Sequence, residues 1–258
     1  MHTTIATDKL NIDKIRNNFR SGKSFDTKDI VAFYQELDSD IKQTTVNWRV
    51  YSLVQMGLIN RIGRGKFIIG KKGNFIPDVS PKMKTIHHKL IKSFPYLKIC
   101  IWNTSALNEF MLHQPGRFYL LIEVEKEATQ SVFYFLKDAQ YSVFIEPTSD
   151  LLEKYAPREK ESLIIRSLVS EAPLQSIKGI NTASLEKMLV DVFCDDVIFP
   201  SQQGAEMRTL FLEAFNKYSV NENRMLRYAS RRGKKESFSK YLNSISNLRQ
   251  NIKLAANL

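Results

Sequence analysis

The sequence predicts an α/β (α+β) protein, and three observations along its 258 residues carry that prediction. Up to about residue 70, three segments of helical spacing are followed by two short apolar-rich runs around a glycine-containing turn. From about 82 to 192, strand-like and helix-like segments alternate. From Gln202 onward only helical spacing is found. Composition agrees with a folded chain: 43% hydrophobic and 25% charged residues are ordinary for a globular protein, and 16 Phe with 10 Tyr can fill a core. The length suits one large domain or two modest ones.

The first helix is expected over Thr7 to Arg20, where Leu10, Ile12, Ile15 and Phe19 form an imperfect apolar stripe, ended by Ser21-Gly22-Lys23-Ser24. Asp26 or Thr27 can cap the second helix, in which Ile30, Phe33, Tyr34 and Leu37 recur at helical spacing. After Asp38-Ser39-Asp40, a third helix starts around Lys42 to Thr44 and runs to Met56, with Val46, Val50, Leu53 and Val54 on one face and Gly57 as its stop. Leu58 to Ile62 and Lys66 to Ile69 then form a hairpin around Gly63-Arg64-Gly65. Three helices followed by a hairpin is the order of a winged helix-turn-helix domain, assigned here to residues 1–75. Gly70 to Pro81, with two prolines and Lys71-Lys72-Gly73-Asn74, reads as a linker.

A mixed-sheet α/β domain is expected over 76–200. Its predicted strands are Leu97 to Trp102, Phe118 to Val124, Ser142 to Ile145 and Leu163 to Val169; its predicted helices are Lys82 to Phe94, Thr104 to Phe110, Lys126 to Asp138 and Leu185 to Val192. Residues 201–258 form a helical basic C-terminal region packing on that domain, with helices over Ala205 to Tyr218, Asn221 to Arg231 and Ser237 to Lys253.

Lys and Arg number 38 against 27 Asp and Glu, a formal charge of +11. The excess is uneven. Residues 1–80 hold 13 basic and 8 acidic residues, 81–100 hold 5 and none, 101–220 hold 11 and 17, and 221–258 hold 9 and 2. Such asymmetry assigns separate tasks to separate segments and favours a polyanion partner, nucleic acid before an anionic membrane surface.

The third helix is the sharpest candidate. With its valine and leucine face turned inward, Thr44, Thr45, Trp48, Ser52 and Gln55 lie opposite, with Asn47 and Arg49 on the flanks. In a helix-turn-helix this side enters the major groove, where Thr, Asn, Gln and Arg can read base edges. The candidate DNA-binding residues are Gln43, Thr44, Thr45, Asn47, Trp48 and Arg49, together with Arg61, Arg64 and Lys66 of the hairpin as phosphate or minor-groove contacts. The competing reading is a solvated helix face. In the C-terminal region Arg224, Arg227 and Arg231 recur at i, i+3 and i+7, with Arg232, Lys234 and Lys235 following. They form either a further phosphate-contacting or toxin-related surface or a solvated face.

Other chemistry finds little footing. Cys100 and Cys194 sit apart in apolar runs, as small buried hydrophobes, and no C-x-x-C exists. His87-His88, adjacent on a helix, point apart, and no metal-ligand spacing occurs, so no metal, cofactor or catalytic residue is assigned. Gly63-Arg64-Gly65-Lys66 lacks P-loop spacing. Glu123, Glu125 and Lys126 have the wrong spacing for a carboxylate-spacer-lysine nuclease motif and read as a solvated strand end. Glu186 and Asp191 read as structural or interface residues. No signal peptide and no apolar run of membrane-spanning length is found, which places the protein in the cytoplasm by expectation.

Three segments resemble a known family. Trp48 to Phe67 resembles the recognition helix and wing of AbiEi-type regulators, the antitoxins of type IV abortive-infection toxin–antitoxin systems. Ser184-Leu185-Glu186-Lys187-Met188-Leu189-Val190-Asp191 resembles an E-(K/R)-x-L-V-D helix start in their second domain, and Asn221 to Gly233 resembles their basic C-terminal helix. The stretch from Leu97 to Ser170 has no quoted counterpart. The resemblance implies a repressor that binds double-stranded DNA at its own operon, and neutralisation of a nucleotidyltransferase-like toxin encoded beside it, with or without a stable complex. It implies no catalytic residue. Homodimerisation, extra DNA contact and the antitoxin function are the tasks left for the second domain. The alternatives are a nuclease or nucleotidyltransferase-like enzyme targeted by a winged helix, or a protein-interaction adaptor.

Overall fold

A computed structural model describes residues 10–19, 24–55, 58–63, 65–70, 74–157 and 161–255, without the side chains of 55, 60–63 and 249–255. The protein is mixed α/β and divides into two compact units. The first runs to Phe75 and includes Phe215–Asn221; the second comprises Ile76–Ala214 and the chain from Glu222 onward.

In chain order the first unit holds α1 (Ile12–Asn18), β1 (Ser24–Asp26), α2 (Thr27–Leu37), α3 (Gln43–Gln55), β2 (Ile59–Gly63) and β3 (Lys66–Ile69). The strands form one antiparallel sheet in the order β1-β3-β2. Asp26 caps α2 reciprocally. Its carboxylate accepts from the backbone N–H of Lys28 and Asp29, while the Asp29 carboxylate accepts from the Asp26 N–H. The expected apolar stripes meet in one core, where Ile15, Ile30, Phe33, Tyr34, Val46 and Leu53 are buried with Phe25 and Phe67 of the sheet. The Tyr34 hydroxyl donates to the Leu10 carbonyl at 2.8 Å, so its polar tip is satisfied inside that core. Gly65 adopts φ +68°, and a Cβ there would meet the Thr27 hydroxyl at 3.3 Å, so the turn needs glycine twice over. The Thr27 N–H donates to the Gly65 carbonyl at 3.0 Å and so fastens the start of α2 to the hairpin turn.

β1 was not expected. A three-residue strand offers no periodicity to read, and only its pairing with β3 defines it. Gly57, expected to stop α3, lies outside the described residues. The expected linker is only partly free of structure. Phe75, Pro77 and Val79 are buried in alternation, and Val79 joins the core of the second unit.

The second unit is built on a four-stranded sheet, β4 (Ile99–Asn103), β5 (Tyr119–Val124), β6 (Val143–Ile145) and β7 (Ser162–Ser167), in the order β4-β5-β7-β6. β4 runs antiparallel to β5, and β5, β7 and β6 are parallel, so the sheet is mixed as expected. Against one face lie α4 (Pro81–Ser93) and α5 (Thr129–Asp138), burying Met83, Ile86, Leu90, Val132 and Leu136 on Ile99, Ile101, Leu120, Ile122, Leu163 and Ile165. The alternation of a sheet turns Cys100, Trp102, Leu121 and Glu123 the other way. On that side Glu123 meets α7 (Leu185–Cys194) through Lys187. A short helix, α6 (Ser149–Tyr155), and an antiparallel hairpin, β8 (Leu174–Ile177) with β9 (Ile180–Ala183), were not anticipated. The remaining helices are α8 (Ala205–Lys217), α9 (Glu222–Arg231) and α10 (Lys235–Ala255). Phe211, Phe238, Tyr241 and Phe193 make edge and tilted ring contacts among α7, α8 and α10. No helix among the described residues is long and apolar enough to cross a membrane.

Candidate nucleic-acid interface

α3 separates its two faces cleanly. Val46, Val50 and Leu53 are buried in the first unit, while Gln43, Thr44, Thr45, Asn47 and Trp48 are exposed. Gln43 Nε2 donates to Asn47 Oδ1 at 3.1 Å, an i,i+4 pair that holds two amides side by side on the outer face. Trp48 is 52% and Tyr51 63% exposed, so two large rings one turn apart extend the same surface. Tyr51 was missed by the sequence reading, although its position three residues after Trp48 places it there. Arg49 is different from the others. It is half-buried, and its guanidinium lies over the Tyr34 ring at 4.6 Å from the centroid. Burial pushes the Tyr34 hydroxyl up to about 12 despite the opposing charge of Arg49. Lys66 is exposed at the start of β3. Arg64 and the side chain of Arg61 lie outside the described residues.

The C-terminal basic residues meet a different environment. Arg224 faces Glu186 at 3.9 Å, Arg231 forms an exposed ion pair with Glu171, and Arg232 donates to Asp191 at 2.7 Å. Arg227, Lys234 and Lys235 are exposed. The three arginines of the i, i+3, i+7 stripe therefore do not form a uniform free surface, because two of them already face carboxylates.

Arg232 leads into a buried ionic cluster. Lys187, fully buried on α7, donates to Glu123 at 2.6 Å and to Asp191 at 2.5 Å. Trp102 Nε1 donates to Glu123 at 3.0 Å, and the Tyr228 hydroxyl donates to Asp191 at 2.8 Å. Burial acts against the Lys187 ammonium, but Asp191 and Glu123 outweigh it and hold its pKa well above the usual lysine value. Burial, then the charge of Asp191, pushes the Tyr228 hydroxyl upward. Burial and then Glu123 raise the Cys100 thiol, which keeps it protonated. Two carboxylates and two cations thus balance in the interior, with aromatic N–H and O–H groups filling the remaining acceptor positions.

This corrects one expectation. Glu123 is not a solvated strand end; it is 4% exposed. The alternation of β5 turns it toward α7, and Lys187 makes its burial tolerable. Asp191 has the structural role expected of it. Glu186 accepts from the Ser184 hydroxyl at 2.6 Å at the head of α7. Among the described residues no group of three or more His, Cys, Asp or Glu side chains is placed to hold a metal ion.

No curated protein matches the chain. One family model does, over residues 45–248, from the first turn of α3 into α10. That span holds α3 from Thr45 onward, the hairpin after it and the buried cluster, and the chain belongs to DUF6577, a family of unknown function.

Proposed function

We propose that the first unit is a winged helix-turn-helix domain that binds double-stranded DNA through α3, and that the protein is a cytoplasmic transcriptional regulator. Supporting this is one observation above all: the outer face at the N-terminal end of α3 presents Gln43, Thr44, Thr45 and Asn47, hydroxyls and amides suited to base edges, on a helix whose opposite face is locked into a core. The hairpin that follows brings Lys66 to the surface as a phosphate contact. Arg49, folded over Tyr34, acts as a support for the helix and as a backbone contact more than as a free reader of bases. The resemblance to AbiEi-type antitoxins narrows the regulator to an autorepressor of a type IV toxin–antitoxin operon, whose functional partner is a nucleotidyltransferase-like toxin. Its work is binding. Glu123, whose spacing from Lys126 does not fit the carboxylate-spacer-lysine nuclease motif, has its charge taken up by Lys187 and Trp102.

The test is selection of duplexes from a random library by the full-length chain, followed by titration of T44A, T45A and N47A on the selected and on random DNA. A good base contact contributes about 1–3 kcal/mol of discrimination. Each substitution that removes one should therefore weaken the selected site by that amount and random DNA far less. Selection that never converges, or an equal loss on both duplexes, overturns the reading of α3. Growth rescue from the toxicity of the neighbouring gene product, on co-expression, tests the antitoxin role separately.

A further inference from the structure

The five lysines of 81–100, a stretch without one carboxylate, are used neither by the α3 face nor by the C-terminal arginines. Four of them lie on α4: Lys82, Lys84, Lys89 and Lys92. Lys82 is neutralised by Glu161 at 2.8 Å. Two of the others turn toward the tip of the β8–β9 hairpin. Lys84, His87, His88 and Lys89 from α4, with Lys178 and Gly179 from the hairpin, line a shallow cleft of about 620 Å³ whose floor includes Ile180. All of these residues belong to the second unit.

We infer that this cleft binds the phosphate backbone of nucleic acid. The inference shares with the proposed function the class of ligand, but it stands on different residues in a different unit.

Four observations support it. First, Lys84, Lys178 and Lys89 are exposed, and no carboxylate among the described residues forms an ion pair with them. Lys89 is steered without losing its charge, since its ammonium lies 5.4 Å from the Tyr141 ring centroid and donates to the Tyr141 hydroxyl at 3.4 Å. Second, the hairpin tip is shaped to present a cation. Lys178 at φ 52° and Gly179 at φ 80° give two successive left-handed residues, the conformation of a tight type I′ turn. A Cβ on Gly179 would meet nothing, so the backbone there is open to a ligand. Third, the two histidines add hydrogen-bonding groups. His87 is half-buried, and burial, then His88, lowers its pKa, so it is neutral at neutral pH. Fourth, the described lining contains no carboxylate and no Phe, Tyr or Trp ring. Recognition of a base on a single strand or a nucleotide uses stacking, whereas a repeating phosphate needs only cations and donors along an open groove. The chemistry therefore favours a backbone over a base or a nucleoside.

The experiment titrates a labelled random-sequence duplex with the full-length chain at several salt concentrations. The cleft variant is K84E/K178E. A charge-matched control, K137E/K154E, changes two exposed lysines of the same unit that do not line the cleft. A third variant, T44A/N47A, alters the α3 face. Two lost phosphate contacts should lower the slope of log K against log salt by about two units in K84E/K178E and weaken random-duplex binding far more than T44A/N47A does. All three pairs are exposed, and unchanged thermal unfolding of each variant excludes a folding effect. An equal change in K137E/K154E overturns the inference, because general charge rather than the cleft would then be responsible. So does a wild-type chain that binds no random duplex. Inorganic tripolyphosphate, titrated in parallel, distinguishes the other source of phosphate: tight stoichiometric binding abolished in K84E/K178E, with duplex binding intact, also overturns it. If T44A/N47A still discriminates the selected site from random DNA as well as wild type does while K84E/K178E loses its salt slope, the α3 reading fails and the cleft remains.

Discussion

α3 and α9 look alike as sequence, and they differ in what surrounds them. Each is a helix with a polar or basic stripe opposite an apolar one. On α3 the polar side chains between Gln43 and Trp48 face outward, with Gln43 bonded to Asn47 on the same helix, and Arg49 lies over one ring, that of Tyr34. On and just after α9, Arg224, Arg231 and Arg232 meet Glu186, Glu171 and Asp191, carboxylates tens of residues earlier in the chain. Helical spacing gives the direction of a side chain but not its partner. A basic stripe is a binding surface only where the fold leaves it without counter-charges. That is why the acidic middle of the chain matters: part of its negative charge is spent on the C-terminal arginines.

Three measurements break or sharpen this contrast, and the largest effect belongs to the buried cluster. Lys187→Met leaves Glu123 and Asp191 in the interior with the central cation gone. Removal of one member of a buried ion pair typically costs about 3–5 kcal/mol. Denaturant unfolding should show a loss of that size, with a smaller one for Arg232→Met, where Lys187 still serves Asp191. Exposed α3 changes such as Thr44→Ala should stay within about 0.5 kcal/mol. A Lys187→Met protein as stable as wild type would remove the argument that α7 and the segment around Arg232 serve structure.

The second measurement concerns the underside of α3. The Tyr34 hydroxyl, pushed up to about 12 by burial, ionises later in the folded than in the unfolded chain, whose tyrosines titrate near about 10. A group with a raised folded pKa contributes stability that is full below the unfolded value and is lost as pH rises through the folded one. Stability should therefore fall between about pH 10 and about 12, in step with a late tyrosinate absorbance. Tyr34→Phe should flatten that fall. At neutral pH it should cost about 1–3 kcal/mol, because the Leu10 carbonyl loses its buried donor. An unchanged alkaline profile in Tyr34→Phe would show that the core beneath α3 is not closed around this hydroxyl.

The smallest effect is expected next door to a large one. Arg231 and Arg232 are neighbours in sequence, but the Arg231–Glu171 pair is solvent-exposed on both sides, at 51% and 53%. Exposed pairs are screened and contribute little to folding. Arg231→Gln should leave the unfolding midpoint where it is. A clear drop would mean that the exposed and buried arginines do not differ as their surroundings indicate.

Much of the first unit was legible because its signals are local. The cap at Asp26, the valine and leucine face of α3 and the glycine turn at Gly65 each depend on residues within a few positions, and each reappears in the structure. The strands β4 and β5 were also expected, but only their pairing register puts Trp102 and Glu123 on a common side, which is why Glu123 read as a solvated strand end. β1, α6 and the β8–β9 hairpin went unseen, since a strand or helix of three to seven residues has too few repeats to stand out and is defined by its packing.

What the sequence determined by itself is therefore the set of local choices: mixed α/β architecture, the polar and apolar faces of α3, the hairpin after it, and the uneven placement of charge. What only the tertiary structure decided is which charges remain free. Glu123 is turned inward by a sheet and neutralised by a lysine 64 positions away. Lys84 and Lys178, equally ordinary as sequence, are brought to one cleft by a helix and a hairpin far apart in the chain. The physical reason is that hydrophobic periodicity is written in neighbouring residues, whereas Coulomb energy depends on distance in space and on burial, and neither is set until the chain has folded.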